Sequence, residues 1–135
     1  MLVASLLAFP PVLDVHIEIL EDDGGVIPAC IVAASLALAD SGVSLYDLVG
    51  SVCVGGGGGG GAFTLDPNRE EGKDLGVTME MSVMGNLGKV TMYEQRGGIE
   101  VERIEDMEEV CRGGCMAVHE IMRKSLLKRE EERVI

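Results

Sequence analysis

The chain reads as one α/β domain of the α+β kind, a mixed sheet with helices on one face. Three observations predict it. A strand-like alternation over Val15, Ile17 and Ile19 is followed by a long alanine-rich apolar helix; several strand-length apolar runs come next, and a long amphipathic segment closes the chain.

In the first element, Val15, Ile17 and Ile19 alternate with Asp14, His16 and Glu18, the period of a strand with one buried face. His16 then points outward, and a solvated histidine is expected. Asp23-Gly24-Gly25 supplies turn chemistry, and Pro28 suits a first helical turn because its missing N–H has no intrahelical partner there. A helix over about residues 28–41 follows, ended by Gly42. Ala29, Ile31, Val32, Ala33, Leu36 and Leu38 leave it almost no polar side, so burial over most of its circumference is expected.

Leu48–Val54 and Ala62–Leu65 are the next strand-length runs, separated by seven consecutive glycines, Gly55–Gly61. No Lys-Ser/Thr follows the glycines, so they read as a flexible connector rather than a phosphate cradle. Val77–Val83 and Lys89–Tyr93 flank Met84-Gly85-Asn86-Leu87-Gly88 and predict an antiparallel hairpin. Ile104, Met107, Cys111, Cys115, Val118, Met122 and Leu126 step by threes and fours along one long helix. Gly113 and Gly114 interrupt it, at about 1 kcal/mol each, which suits close backbone packing on the first helix. Acidic residues in its first turns and Lys/Arg at its end suit the helix dipole.

Size, charge and cysteines narrow the function. At 135 residues the chain can bury roughly 70% of its unfolded surface, enough for one core. Aromatic residues make up only 3%, so the core is aliphatic and methionine-rich, and base stacking is not this chain's means of binding. The net charge of −12 argues against a lone nucleic-acid binder, whose affinity comes from cations on phosphates. Arg103, Arg112, Arg123, Lys124, Lys128, Arg129 and Arg133 lie among glutamates near the C-terminus and read as a solvated, self-paired face. Cys30, Cys53, Cys111 and Cys115 contain no CxxC pair and read as core thiols. Cys111, Cys115 and His119 share a helix face, but a fourth metal ligand is not apparent. Residues 1–13 form an apolar lead with Pro10-Pro11, read as a truncated strand or linker rather than a targeting signal; a soluble intracellular protein is expected.

The order LDVHIEILEDDGG, IVAASLALADSGV, then Tyr46-Asp47-Leu48-Val49 resembles the second half of the RNase PH fold as used by ring subunits of the RNA exosome. The resemblance implies a fold like domain 2 of ribosomal protein S5 over residues 14–135. In active members the Asp-Gly-Gly turn is followed by Thr-Arg or Ser-Arg, which hold the attacking phosphate at the helix start. Here Val26 and Ile27 stand at those positions. The family's LD-x5-D segment begins at Leu65-Asp66, but six residues beyond Asp66 stands Gly72, and Pro67 stiffens the loop in which Glu71 or Asp74 would have to substitute. No catalytic, phosphate-binding or metal site is therefore expected, and Asp66 is vestigial.

The resemblance implies a non-catalytic ring subunit, most similar to the inactive type called mRNA transport regulator three. It also implies no cofactor, other ring and cap subunits as partners, weak or indirect RNA contact, and residence in nucleus, nucleolus and cytoplasm. The alternatives are a phosphorolytic exoribonuclease with an atypical site, or an interaction module outside a ring.

Overall fold

The computed structural model describes residues 12–57 and 60–134. The elements run α1 (Val26–Asp40), β1 (Val49–Gly56), β2 (Phe63–Leu65), α2 (Arg69–Gly72), β3 (Val77–Met84), β4 (Lys89–Gly97) and α3 (Val101–Val134). The strands form one sheet in the order β2-β1-β3-β4. Each ladder is antiparallel, so the expected mixed sheet is an antiparallel one among the described residues. Strand β1 pairs with both β2 and β3, so the link from β2 to β3, which carries α2, crosses over β1.

Val52 and Val54 of β1 pair with Met81 and Met79 of β3, and all four project into the layer filled by Met107, Cys111 and Cys115 of α3. Burial of each large apolar side chain in such a layer contributes about 1.5–3 kcal/mol. The methionines suit this place because an unbranched thioether fills an aliphatic core that lacks rings. Gly50 and Gly114 set how close α3 comes to the sheet. A Cβ on Gly50 would strike the carbonyl oxygen of Cys115, and one on Gly114 would sit 2.9 Å from Leu65 Cδ1 and 3.1 Å from Val52 Cγ1.

Gly114 therefore packs on β1 and β2 and not on the first helix, while Gly113 faces open space. The two glycines do not break α3, because the tertiary contact of Gly114 outweighs the propensity cost. The polyglycine run also differs from expectation at its start. Gly55 and Gly56 belong to β1, paired with Thr78 and Val77 on one side and Thr64 and Phe63 on the other. A ladder on both edges fixes even a glycine backbone. Gly58 and Gly59, like residues 1–11 of the 13-residue lead, lie outside the described residues.

Two expectations for the N-terminal part are overturned. Residues 12–19 adopt no ladder, and Val15, Ile17 and Ile19 are 48%, 51% and 56% exposed. Alternation selects a face, but a strand also needs a neighbouring strand to satisfy its backbone. Helix α1 is not buried over most of its circumference: only Pro28 and Ser35 are buried. One side packs along β1, where Ser35 Oγ accepts the N–H of Val49 at 3.0 Å, and its remaining apolar surface has no cover among the described residues. Beyond α1, Gly42 takes φ 81° and its N–H donates to Ala39 O, as a glycine after a helix end does.

Candidate functional site

The Asp-Gly-Gly turn and the Leu65-Asp66 segment, 40 residues apart, meet in the fold. Gly24 and Gly25 have φ 98° and 61°, and a Cβ on them would lie 2.7 Å from Pro67 O and 2.7 Å from Asp66 Oδ1. Both positions favour glycine for the left-handed backbone; at Gly24 the backbone oxygen of Pro67 also leaves no room for a side chain, whereas at Gly25 the neighbour is the end of the Asp66 side chain. Asp66 is itself left-handed, with φ 52°, a conformation Asp tolerates better than most residues. Its N–H donates to Cys53 O at 2.7 Å, which seats it at the end of β2 beside the N-terminus of α1.

Helix α1 starts at this junction. Gly25 is the N-cap and provides no side-chain cap. Val26 and Ile27 begin the helix with neither hydroxyl nor positive charge, and Ile27 is 39% exposed. Arg69, the cation that the structure ties to the turn, is paired with Asp22, and its own N–H donates to Asp23 O at 2.9 Å. Gly72, where the resemblance would put a second carboxylate, ends the short helix α2 and is exposed. Glu71 is committed elsewhere: it forms a capping box with Asn68, each side chain accepting the other's N–H at 2.9 Å. Asp74 is exposed to solvent. Asp66 thus stands beside the helix start without a second carboxylate.

The cysteine face of α3 is structural. Cys111 and Cys115 turn their thiols toward the carbonyls of Met79 and Met81, at 3.9 and 3.2 Å. Burial pushes the thiols up to about 12 and about 11, away from the thiolate that a metal would need. Among the described residues no group of His, Cys, Asp and Glu has metal-holding geometry. His16 is exposed. Of the C-terminal cations, Lys124 pairs with Glu120, Lys128 with Glu132, and both Arg129 and Arg133 with Asp40 of α1, while Arg103 lies over the Phe63 ring, 4.7 Å from its centroid.

One buried polar cluster was not legible as such in the sequence. The Asp47 carboxylate, 1% exposed, accepts the N–H groups of Leu48, Asn86 and Leu87 at 2.8, 2.7 and 3.0 Å and the Asn86 amide at 2.9 Å. His119 Nε2 lies 3.4 Å from it, and the imidazole packs where Gly85 would carry a side chain. Burial pushes the Asp47 carboxyl up, but the N–H groups of Leu87, Asn86 and Leu48 outweigh it and hold it below its ordinary value. This cluster ties the entry of β1, the β3–β4 turn and α3 together. An Asp just ahead of a strand and an Asn in a tight turn are each ordinary; their meeting with a histidine 72 residues away has no signature in spacing.

Comparison with known proteins fits this geometry. Residues 6–44 match the RNase PH family model described as the 3' exoribonuclease family, domain 1. The Rrp41 exosome complex component of Nitrosopumilus maritimus is 35% identical over 113 residues, 84% of this chain and 46% of that protein. The chain belongs to the RNase PH family. The yeast exosome complex component SKI6, from Saccharomyces cerevisiae, is 29% identical over 123 residues, covering 91% of this RNase PH chain and 49% of the relative. In three dimensions, rice (Oryza sativa) Rrp46 superposes with a TM-score of 0.69 at 23% identity, over 78% of this chain and 50% of that one, which supports the RNase PH-like fold. The chain spans about half the length of the curated relatives it matches.

Proposed function

We propose that this RNase PH-type chain is a non-catalytic structural subunit of the RNA exosome core ring, supporting 3'-to-5' RNA degradation and rRNA processing through protein contacts. The observation that carries the reading is the helix start beside Asp66. Val26 and Ile27 stand where a hydroxyl and a guanidinium would hold phosphate, Arg69 is neutralised by Asp22, and Gly72 supplies no second carboxylate. An attacking phosphate would meet an acidic turn whose Arg69 is already paired with Asp22, and of the carboxylate pair that the resemblance implies only Asp66 remains.

Other RNase PH-like ring subunits and cap subunits are the partners this reading names. The net charge of −12 suits it, because the partners then provide the cationic surface that RNA needs. RNA touches this chain weakly or indirectly. Residence in nucleus, nucleolus and cytoplasm would follow the assembly, and among the described residues no helix is long and apolar enough to cross a membrane. The relatives carry the Rrp41, SKI6 and Rrp46 names, not that of the mRNA transport regulator type.

The test is phosphorolysis. The purified chain, incubated with a 3'-labelled oligoribonucleotide and inorganic phosphate, should release no nucleoside diphosphate, and Asp66→Asn should leave that blank unchanged. Phosphate-dependent release that Asp66→Asn abolishes would replace the scaffold reading with a phosphorolytic exoribonuclease.

A further inference from the structure

We propose that Glu80, Arg96 and Glu94 form a proton-controlled switch on the sheet face turned away from α3, in which Arg96 holds Glu94 while Glu80 carries a proton and crosses to Glu80 when that proton leaves. The sheet register brings the three groups together. Glu80 stands directly opposite Cys53 of β1 on one side and Glu94 of β4 on the other, and Arg96 pairs with Thr78, one diagonal step from Glu80. Residues opposite one another project from the same face of a sheet, and a diagonal neighbour lies within reach of a side chain as long as arginine. Val52, Val54, Met79 and Met81 occupy the other face, against α3.

The two carboxylates differ in what they lose without a partner. The Arg96 guanidinium meets Glu94 Oε1 through Nε at 2.9 Å and Nη2 at 2.8 Å, and the two side chains are 63% and 42% exposed. Glu80 Oε2 is covered and has no hydrogen-bond partner among the described residues. An exposed ion pair is worth little, because water replaces the partner that leaves. A covered carboxylate oxygen without a partner is costly when the group is charged and tolerable when it is protonated. The arrangement seen is therefore that of a protonated Glu80. Once Glu80 ionises, it also faces the like charge of Glu94 across the strands, and the guanidinium gains more at Glu80 than it gives up at Glu94. The move needs only a rotamer change of an exposed side chain.

The surroundings of Glu80 fix the sign. Thr78 and Ser82 beside it on β3 carry no charge. Burial, then Glu80 and Asp66, push the Cys53 thiol up to about 11, so it stays neutral where carboxylates titrate. Burial pushes the Glu80 carboxyl above its ordinary value, Arg96 pulls it back and Glu94 pushes it further up. Below that raised value β4 shows solvent a compensated pair; above it Glu94 stands free and Arg96 is drawn onto the sheet. The switch is independent of the scaffold reading.

The test follows the Glu80 and Glu94 carboxyl carbons and the Arg96 Nε–H by NMR in the full 135-residue chain, from about pH 4 to about pH 8. Glu80 should titrate above Glu94, and the Arg96 signal should move with the Glu80 midpoint. Glu80→Gln should abolish that movement, and Glu94→Gln, which leaves Arg96 no competing carboxylate, should lower the Glu80 midpoint. The methyl signals of Met79 and Met81, on the other face, should stay in place throughout. An Arg96 signal that follows Glu94 instead, one that still moves in Glu80→Gln, a Glu80 midpoint at or below that of Glu94, or methyl signals that move with Glu80 would each overturn the proposal.

Discussion

The part of the chain from Val49 onward and the part before it are both rich in apolar residues, yet only the first closes on itself. The sheet and α3 bury Val54, Met79, Met107, Cys111 and Cys115 completely, whereas Val15, Ile17, Ile19 and Ile27 remain 39–56% exposed. The boundary falls close to the end of the family match at residue 44. Apolar content alone therefore does not make a core; a face is buried only when its complement is in the same chain or brought by another.

Substitutions in the closed part should cost the most. Asp47→Ala takes a charged acceptor from the N–H groups of Leu48, Asn86 and Leu87 and from the Asn86 amide and should destabilise by about 3–4 kcal/mol in urea unfolding. Because the folded carboxyl sits below its ordinary value, the part of this contribution that depends on ionisation is present above about pH 4 and lost as pH falls through the folded-state value. An unchanged acid limb in the variant would remove the cluster from the account.

Gly50→Ala comes next, at about 3 kcal/mol, because its Cβ meets the backbone oxygen of Cys115 and a helix backbone cannot step aside as a side chain can. Retained stability there would mean that α3 packs less closely than described.

A smaller effect of opposite sign is expected at Glu80, opposite Cys53 in the sheet, whose Oε2 has no partner among the described residues. Burial raises its carboxyl above the ordinary range, Arg96 pulls it down and Glu94 pushes it further up. The ionised form is disfavoured in the fold, so its cost is absent at low pH and appears as pH rises through the raised value. Glu80→Gln should stabilise at pH 7 by less than about 1 kcal/mol, since the group is partly exposed, with no gain near pH 4.

The smallest effect belongs to the open part. Ile19→Ser should change the stability of the isolated chain by no more than about 0.5 kcal/mol, because the side chain is 56% exposed. A larger loss would show that segment 14–20 is already packed and that the contrast between the two parts is wrong.

The same contrast explains what the sequence made legible. The hairpin over β3 and β4 and the heptad-like stripe of α3 could be read because period, turn glycines and partner lie within one contiguous stretch. The candidate site was legible through the RNase PH resemblance at Val26, Ile27, Asp66 and Gly72, and the fold adds that Glu71 is engaged in a cap and Arg69 by Asp22. Three features needed tertiary information. Whether Val15–Ile19 finds a neighbouring strand, what Gly114 packs against and where Asp47 places its carboxylate all depend on residues distant in the chain. The pairing of Gly55 and Gly56 is of the same kind: composition predicts looseness, and two flanking strands override it.

The central claim, that the chain is an architectural piece completed by other RNase PH-type subunits, is tested most directly by native mass spectrometry. The protein would be tagged at its C-terminus and purified gently from its own cells. The account predicts a multi-subunit assembly whose mass includes one copy of this chain together with other RNase PH-like subunits. A bare monomer or a homo-oligomer would contradict it.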